Sequence, residues 1–172
     1  MWNRITDELK STQGNYEQNS AIVGFTVFGD PVSKLRPRTV RNMDRYGQVN
    51  VHTYTPTKTK DHEDKIAWVY RSVYGNFMFE KGVPLLVEMR FFLRIPQSAN
   101  KKMKAKMLYG EIRPTKRIGD LDNFIKCATD ALNGVAYEDD SQIVELIGRK
   151  YYSEEPRTEI IIARLEDEQE TG

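Results

Sequence analysis

The sequence predicts a mixed α/β domain in which helices pack on one sheet. Three observations carry that expectation: β-rich runs near both ends and in the middle, helix-period segments between them, and the order β, helix, β, helix, helix, β, β. A chain of 172 residues favours one domain with a single core. Residues 1–20 are polar and read as an N-terminal extension, 21–165 as the domain, and 166–172 as an acidic tail.

Taken in order, "AIVGFTVFG" (21–29) alternates β-branched or aromatic residues with small ones and predicts a strand ending near Gly29, with Phe25 and Phe28 packing in the core. "DPVSKLRPRT" follows, and Pro31 and Pro37 make it an extended loop. "VNVHTYT" adds a short strand or ribbon. From Thr57 or Thr59, the spacing of Ile66, Trp68, Val69 and Val73 predicts a helix to about Tyr74, stopped by Gly75, with Trp68 packing it onto the sheet. "VPLLVEMRFFLRI" is the strongest strand signal, closed by Pro96. "SANKKMKAKMLYG" reads as a basic helix with Ser98 as N-cap and Gly110 as stop. A helix capped by Asp120 follows, with Leu121, Phe124, Ile125, Ala128 and Leu132 on its apolar face and Asn133-Gly134 as its end. "IVELIGRKYYS" and "TEIIIARLE" are two closing strands, antiparallel by the shortness of their connection.

Composition excludes several classes of protein. No run of eighteen apolar residues exists, so no membrane span is expected. "MWNRITDELK" lacks an apolar targeting core, and Cys127 is the only cysteine. An internal disulfide and a cysteine-based zinc site are therefore excluded, and a reducing, cytoplasmic setting is expected. The net charge of +1 hides a segregation. Lys34, Arg36, Arg38, Arg41, Arg45, Lys58 and Lys60 are opposed only by Asp44. Lys101, Lys102, Lys104, Lys106, Arg113, Lys116 and Arg117 are opposed only by Glu111. Two basic blocks in one small domain point to a polyanion, and an irregular basic loop such as 34–38 must project its charge.

The chemistry concentrates in "KRIGDLDNFIKCATDALNG", from Lys116. Asp120 and Asp122 lie on the same side of an extended or capping segment and repel unless a cation joins them. Hard oxygen ligands of this kind suit Mg²⁺ or Mn²⁺. Asp is also a common helix N-cap, so a lone D-x-D decides little. Lys126 lies four residues after Asp122, on one helical face with it, and Asp130 continues that stripe. A helix from about Asp122 to Asn133 travels roughly 18 Å. The returning turn "EDDSQ" can carry Asp139 or Asp140 back to its start. Carboxylate-held metal ions and a neighbouring lysine are what phosphodiester hydrolysis requires. His52 and His62 have no partner at ligand spacing, and Tyr151 and Tyr152 read as ordinary strand aromatics.

"GDLDNFIKCATDALNGVAYEDDSQIVEL" resembles the signature of the RusA family of Holliday-junction resolvases: D-x-D-N, a lysine four residues after the second Asp, then D-x-L-N-G and D-D-x-Q. "GDPVSKLRPRT" and "YTPTKT" resemble the family's loops before its first helix, so the likeness spans about residues 22 to 165. The resemblance implies a RusA-like fold and a Mg²⁺-dependent endonuclease (Mn²⁺ substituting) that cuts four-way DNA junctions as a homodimer in recombination and repair. It places the metal-binding aspartates on Asp120, Asp122 and Asp140 and the catalytic lysine on Lys126. DNA contact then falls to Lys34, Arg36, Arg38, Lys116 and Arg117. Ile118 and Gly119 separate Arg117 from Asp120, a departure from the family pattern that leaves open which of Lys116 and Arg117 approaches the phosphate. A catalytically idle DNA-binding protein of phage origin, or a nuclease of flaps or other structured nucleic acid, are the alternatives.

Overall fold

A computed structural model describes residues 22–36, 38–43, 45–46, 48–54, 56–115 and 119–165, without the side chains of Arg38, His52 and Tyr54. The expected N-terminal extension and acidic tail lie outside the described residues. Six strands and three α-helices are described: β1 (Ile22–Phe28), β2 (Arg38–Met43), β3 (Val49–Tyr54), α1 (Thr57–Tyr74), β4 (Leu85–Arg94), α2 (Lys101–Leu108), α3 (Leu121–Leu132), β5 (Ile143–Ser153) and β6 (Arg157–Arg164). A short 3₁₀ turn, Asp140–Gln142, leads into β5. Among the described residues no helix is long and apolar enough to cross a membrane.

The main sheet is mixed, with order β1-β6-β4-β5. β6 is antiparallel to both β1 and β4, whereas β4 and β5 are parallel. β5 and β6 do run in opposite directions, as expected, yet they are not neighbours, because β4 lies between them. The three residues joining them permit this. Four Cα steps reach about 13 Å, whereas two strand spacings are about 9.6 Å.

The core lies on one face of β4, where Leu85, Val87, Met89, Phe91 and Leu93 are buried. α3 covers that face through Phe124, whose ring centroid is 5.3 Å from that of Phe91. α1 joins it through Tyr70, edge-on to Phe25 at 5.5 Å. On the other face Glu88 is 4% exposed and accepts hydrogen bonds from Arg149 and Arg90, so the buried carboxylate is paired.

Several local expectations are corrected. Trp68 is 69% exposed; Ile66 and Tyr70 carry the packing, and a residue two positions from each points away from them. Phe28, for which core packing was the expected role, is likewise exposed, whereas Phe25 is buried. α2 is capped by Asn100, whose side chain accepts from the Met103 N–H at 2.9 Å, and Ser98 precedes the helix. The loop after Gly29 is irregular only to residue 36, since β2 then pairs with β3 as a separate two-stranded ribbon.

Candidate active site

The approach to α3 depends on Gly119. Its φ is +122°, and a Cβ there would sit 2.9 Å from the Phe124 ring, so neither the conformation nor the space admits a side chain. Lys150 Nζ donates to the Gly119 carbonyl at 3.1 Å and ties this turn to β5. Asp120 then occupies the N-cap position with extended backbone, but its side chain makes no capping bond. The capping reading of Asp120 therefore lacks the hydrogen bond that defines it. α3 is strongly two-faced, burying Phe124, Cys127, Ala128, Ala131 and Leu132 and presenting Asp122 and Lys126 outward.

The returning turn is pinned from below. Gly134, at φ +66°, closes the helix end, and its N–H donates to the Tyr137 carbonyl at 2.8 Å. The Tyr137 hydroxyl donates to the Thr129 carbonyl at 3.1 Å. Gln142 is buried: its amide donates to the carbonyls of Glu80 (2.8 Å) and Val83 (3.2 Å), while its carbonyl accepts from the Glu138 N–H at 3.0 Å. Such a fixed turn places its acids reproducibly. Asp139 folds onto its own turn, accepting from the Ser141 N–H at 2.9 Å, and hydrogen bonding from the Ser141 side chain first and then from that N–H holds its carboxyl below the usual range. Asp140 instead faces α3.

These elements bound a cleft of about 360 Å³ lined by Asp122, Ile125, Lys126, Thr129, Asp140, Ile143 and Leu146. Of the sequence-predicted residues, Asp122, Lys126 and Asp140 are thus brought together across the gap between α3 and the turn before β5. Asp120 is not part of that lining. Among the described residues no three acidic, His or Cys side chains stand together as a group that could hold one metal ion; two of the expected acids, Asp122 and Asp140, share the cleft lining. Burial first, then the charges of Asp140, Asp130 and Asp139, push the Tyr137 hydroxyl well above its ordinary value.

The donor set suits one ion class. Two carboxylates on an open cleft match Mg²⁺, which retains much of its water and is held by one or two acids plus substrate oxygens. Thiolate and imidazole are absent from the lining, so the softer metals are not favoured.

Lys34 corrects the expectation of a projecting loop cation. Its ammonium is paired with Glu63 of α1 and with Asp130 Oδ2 at 2.8 Å, and its side chain is only 19% exposed. Burial lowers its pKa, but hydrogen bonds to Asp130 and Glu63 outweigh that and raise it. Arg36, two residues on, is exposed. Arg38 opens β2, its side chain outside the described residues, and Lys116 and Arg117 lie wholly outside them.

Asp130 also accepts from Lys126 Nζ at 3.4 Å, so one carboxylate touches both lysines. Sequence reasoning overlooked Glu63, although a signal existed: Thr59, Glu63, Ile66 and Tyr70 repeat at i, i+4, i+7, i+11, an inward stripe of α1. Cys127 is buried, and burial with the nearby Glu63 and Asp130 raises its thiol to about 12, so it is no nucleophile. Tyr151 is already sandwiched, 5.3 Å from the Phe92 ring and beneath Arg113 at 4.0 Å.

Residues 29–163 match the family model described as endodeoxyribonuclease RusA. The chain is also 38% identical over 146 residues to the Bacillus subtilis (strain 168) protein called "Uncharacterized protein YqaN", covering 83% of this chain and 96% of that one. With the family match spanning α3, the turn before β5 and the cleft between them, the chain belongs to the RusA family of endodeoxyribonucleases.

Proposed function

We propose that this protein is a divalent-metal-dependent endodeoxyribonuclease that resolves Holliday junctions, acting in the cytoplasm as a homodimer. The observation that carries the reading is the shared cleft, which Asp122 of α3 and Asp140 of the turn before β5 line together with Lys126. Asp122 and Asp140 would hold Mg²⁺ (or Mn²⁺), with Asp120, free of any capping bond, as the third acid. When bound, such an ion activates a water and offsets the charge that develops on the attacking and leaving oxygens.

The chain's own groups supply the rest. Lys126, exposed at the cleft, places a cation against a non-bridging or leaving oxygen of the scissile phosphate. Arg36, with Arg38, Lys116 and Arg117, would hold the backbone on either side, since phosphate contacts fix register without reading sequence. A junction must be cut on two strands of like polarity. Two-fold protein symmetry supplies one site for each, which is the reason for a homodimer.

Cleavage of a labelled four-way junction in Mg²⁺ and in EDTA tests this. Asp122→Asn is expected to lower cleavage by at least about a hundredfold while junction binding holds or tightens, because an anion beside phosphate is removed. Cutting by Asp122→Asn at the wild-type rate would refute the assignment. Metal-independent binding without cleavage by the wild type would identify an idle binder, and preferential cutting of flaps would reassign the substrate.

A further inference from the structure

Asp130 is one turn beyond Lys126 on α3, and its two oxygens are divided between two cations. Oδ1 is 3.4 Å from Lys126 Nζ, and Oδ2 is 2.8 Å from Lys34 Nζ. Lys34 in turn pairs with Glu63 on α1, and its N–H donates to the Asn123 carbonyl at 2.8 Å at the start of α3. A chain of charge therefore runs from α1 through the basic loop to the cleft. Its members differ in exposure: the side chains of Lys34, Glu63 and Asp130 are 19%, 18% and 23% exposed, whereas that of Lys126 is 61% exposed. The inner three are screened little by solvent and the outer lysine much more. The inner pairing fixes Asp130, and Asp130 offers Lys126 a resting contact on the side away from Asp122.

We propose that Asp130 is the positioning residue of this site: by sharing one carboxylate between Lys34 and Lys126 it sets where the Lys126 ammonium sits over the cleft and couples that position to the loop carrying Arg36. This rests on the reading of Lys126 as a phosphate-facing cation. A flexible four-carbon side chain loses entropy when it is placed, and a fixed counter-ion reduces the number of positions it samples before substrate arrives. Lys126 remains near enough to the Asp122 and Asp140 cleft to exchange Asp130 for a phosphate oxygen. No proton needs to be transferred.

Two readouts test the assignment, one of them independent of cleavage. In protein whose lysines carry ¹³C-methyl groups, with Lys126 and Lys34 assigned through their Arg variants, Asp130→Asn is expected to move both resonances. Lys81, which pairs with Glu138 at 2.8 Å, should be unmoved. An unmoved Lys126 signal overturns the proposal whether or not the protein cuts DNA, and movement of Lys81 as well would mean general disruption and also count against it. In single-turnover junction cleavage, Asp130→Asn is expected to lose about tenfold in rate, the scale typical of outer-shell partners, with junction affinity unchanged and Asp130→Glu recovering most of the loss. In a Lys126→Ala background the same substitution should cost nothing further, because a residue acting through another has no effect once that other is gone. Additive losses would show Asp130 to be merely structural. Wild-type protein that does not cleave would refute the nuclease reading, while the resonances still decide the pairing.

Discussion

Asp139 and Asp140 differ by one position, and their surroundings assign them different tasks. Asp139 is engaged by the Ser141 N–H, an arrangement an Asn reproduces, whereas Asp140 lines the cleft opposite Asp122. Asp140→Asn should therefore reduce Mg²⁺-dependent cleavage at least about a hundredfold, and Asp139→Asn should leave it within about threefold, both read in the same junction assay. Equal losses would show that the turn as a whole matters more than the individual acid. Spacing alone left the two acids open, because a one-residue shift in a turn cannot be resolved without its hydrogen bonds. Asp122 and Lys126 were legible for the converse reason: on a helix, i and i+4 share a face whatever the tertiary structure does. The tie of Lys34 to Asp130 was not legible. It joins residues 96 positions apart, and a lysine in a Pro-bounded loop gives no local sign that it turns inward.

At the scale of elements, α1 holds both the anchor Glu63 and a titratable neighbour. His62 is pulled down to about 4 from an ordinary 6.5 by burial first and then by the charges of Lys65 and Lys58, with which it lines a second cleft. A group whose folded pKa is depressed contributes stability above its unfolded value and loses it as pH falls toward the folded one. Denaturant midpoints should then fall between pH 6.5 and pH 4 more steeply for the wild type than for His62→Gln. Parallel pH profiles would show that the half-buried imidazole charges at no cost. α1 also shows what periodicity reaches. Its bounds agreed with the structure, but Trp68 was read inward together with Ile66, Val69 and Val73, when the stripe through Thr59, Ile66 and Tyr70 excludes it. β2 was missed as a strand because "RTVRNM" buries no described side chain and so lacks the inside–outside alternation of a half-buried strand. β1, β4, β5 and β6 were legible because their alternation or β-rich runs reflect a real core. Their order in the sheet was not, since insertion of β4 between β5 and β6 is a long-range choice.

For the whole molecule, the separation of charge acquires a sharper meaning once the inward and outward cations are distinguished. Lys34 is committed to Glu63 and Asp130, while Arg36, Arg41 and Arg45 are exposed on the loop and ribbon. A cation that meets a phosphate releases condensed counter-ions, so deleting one such cation should flatten the dependence of log affinity on log salt by about 0.9. Arg36→Gln is accordingly expected to weaken junction binding in EDTA and to reduce that slope by roughly one unit. Lys34→Gln should leave the slope unchanged and instead lower unfolding stability by roughly 1–3 kcal/mol, because two partly buried carboxylates lose their common partner. Titrations between about 50 and 200 mM salt measure the first quantity, and urea unfolding measures the second. A reduced slope for Lys34→Gln with stability intact would mean that its ammonium leaves the acids to bind DNA, and the division between structural and DNA-facing cations would have to be redrawn.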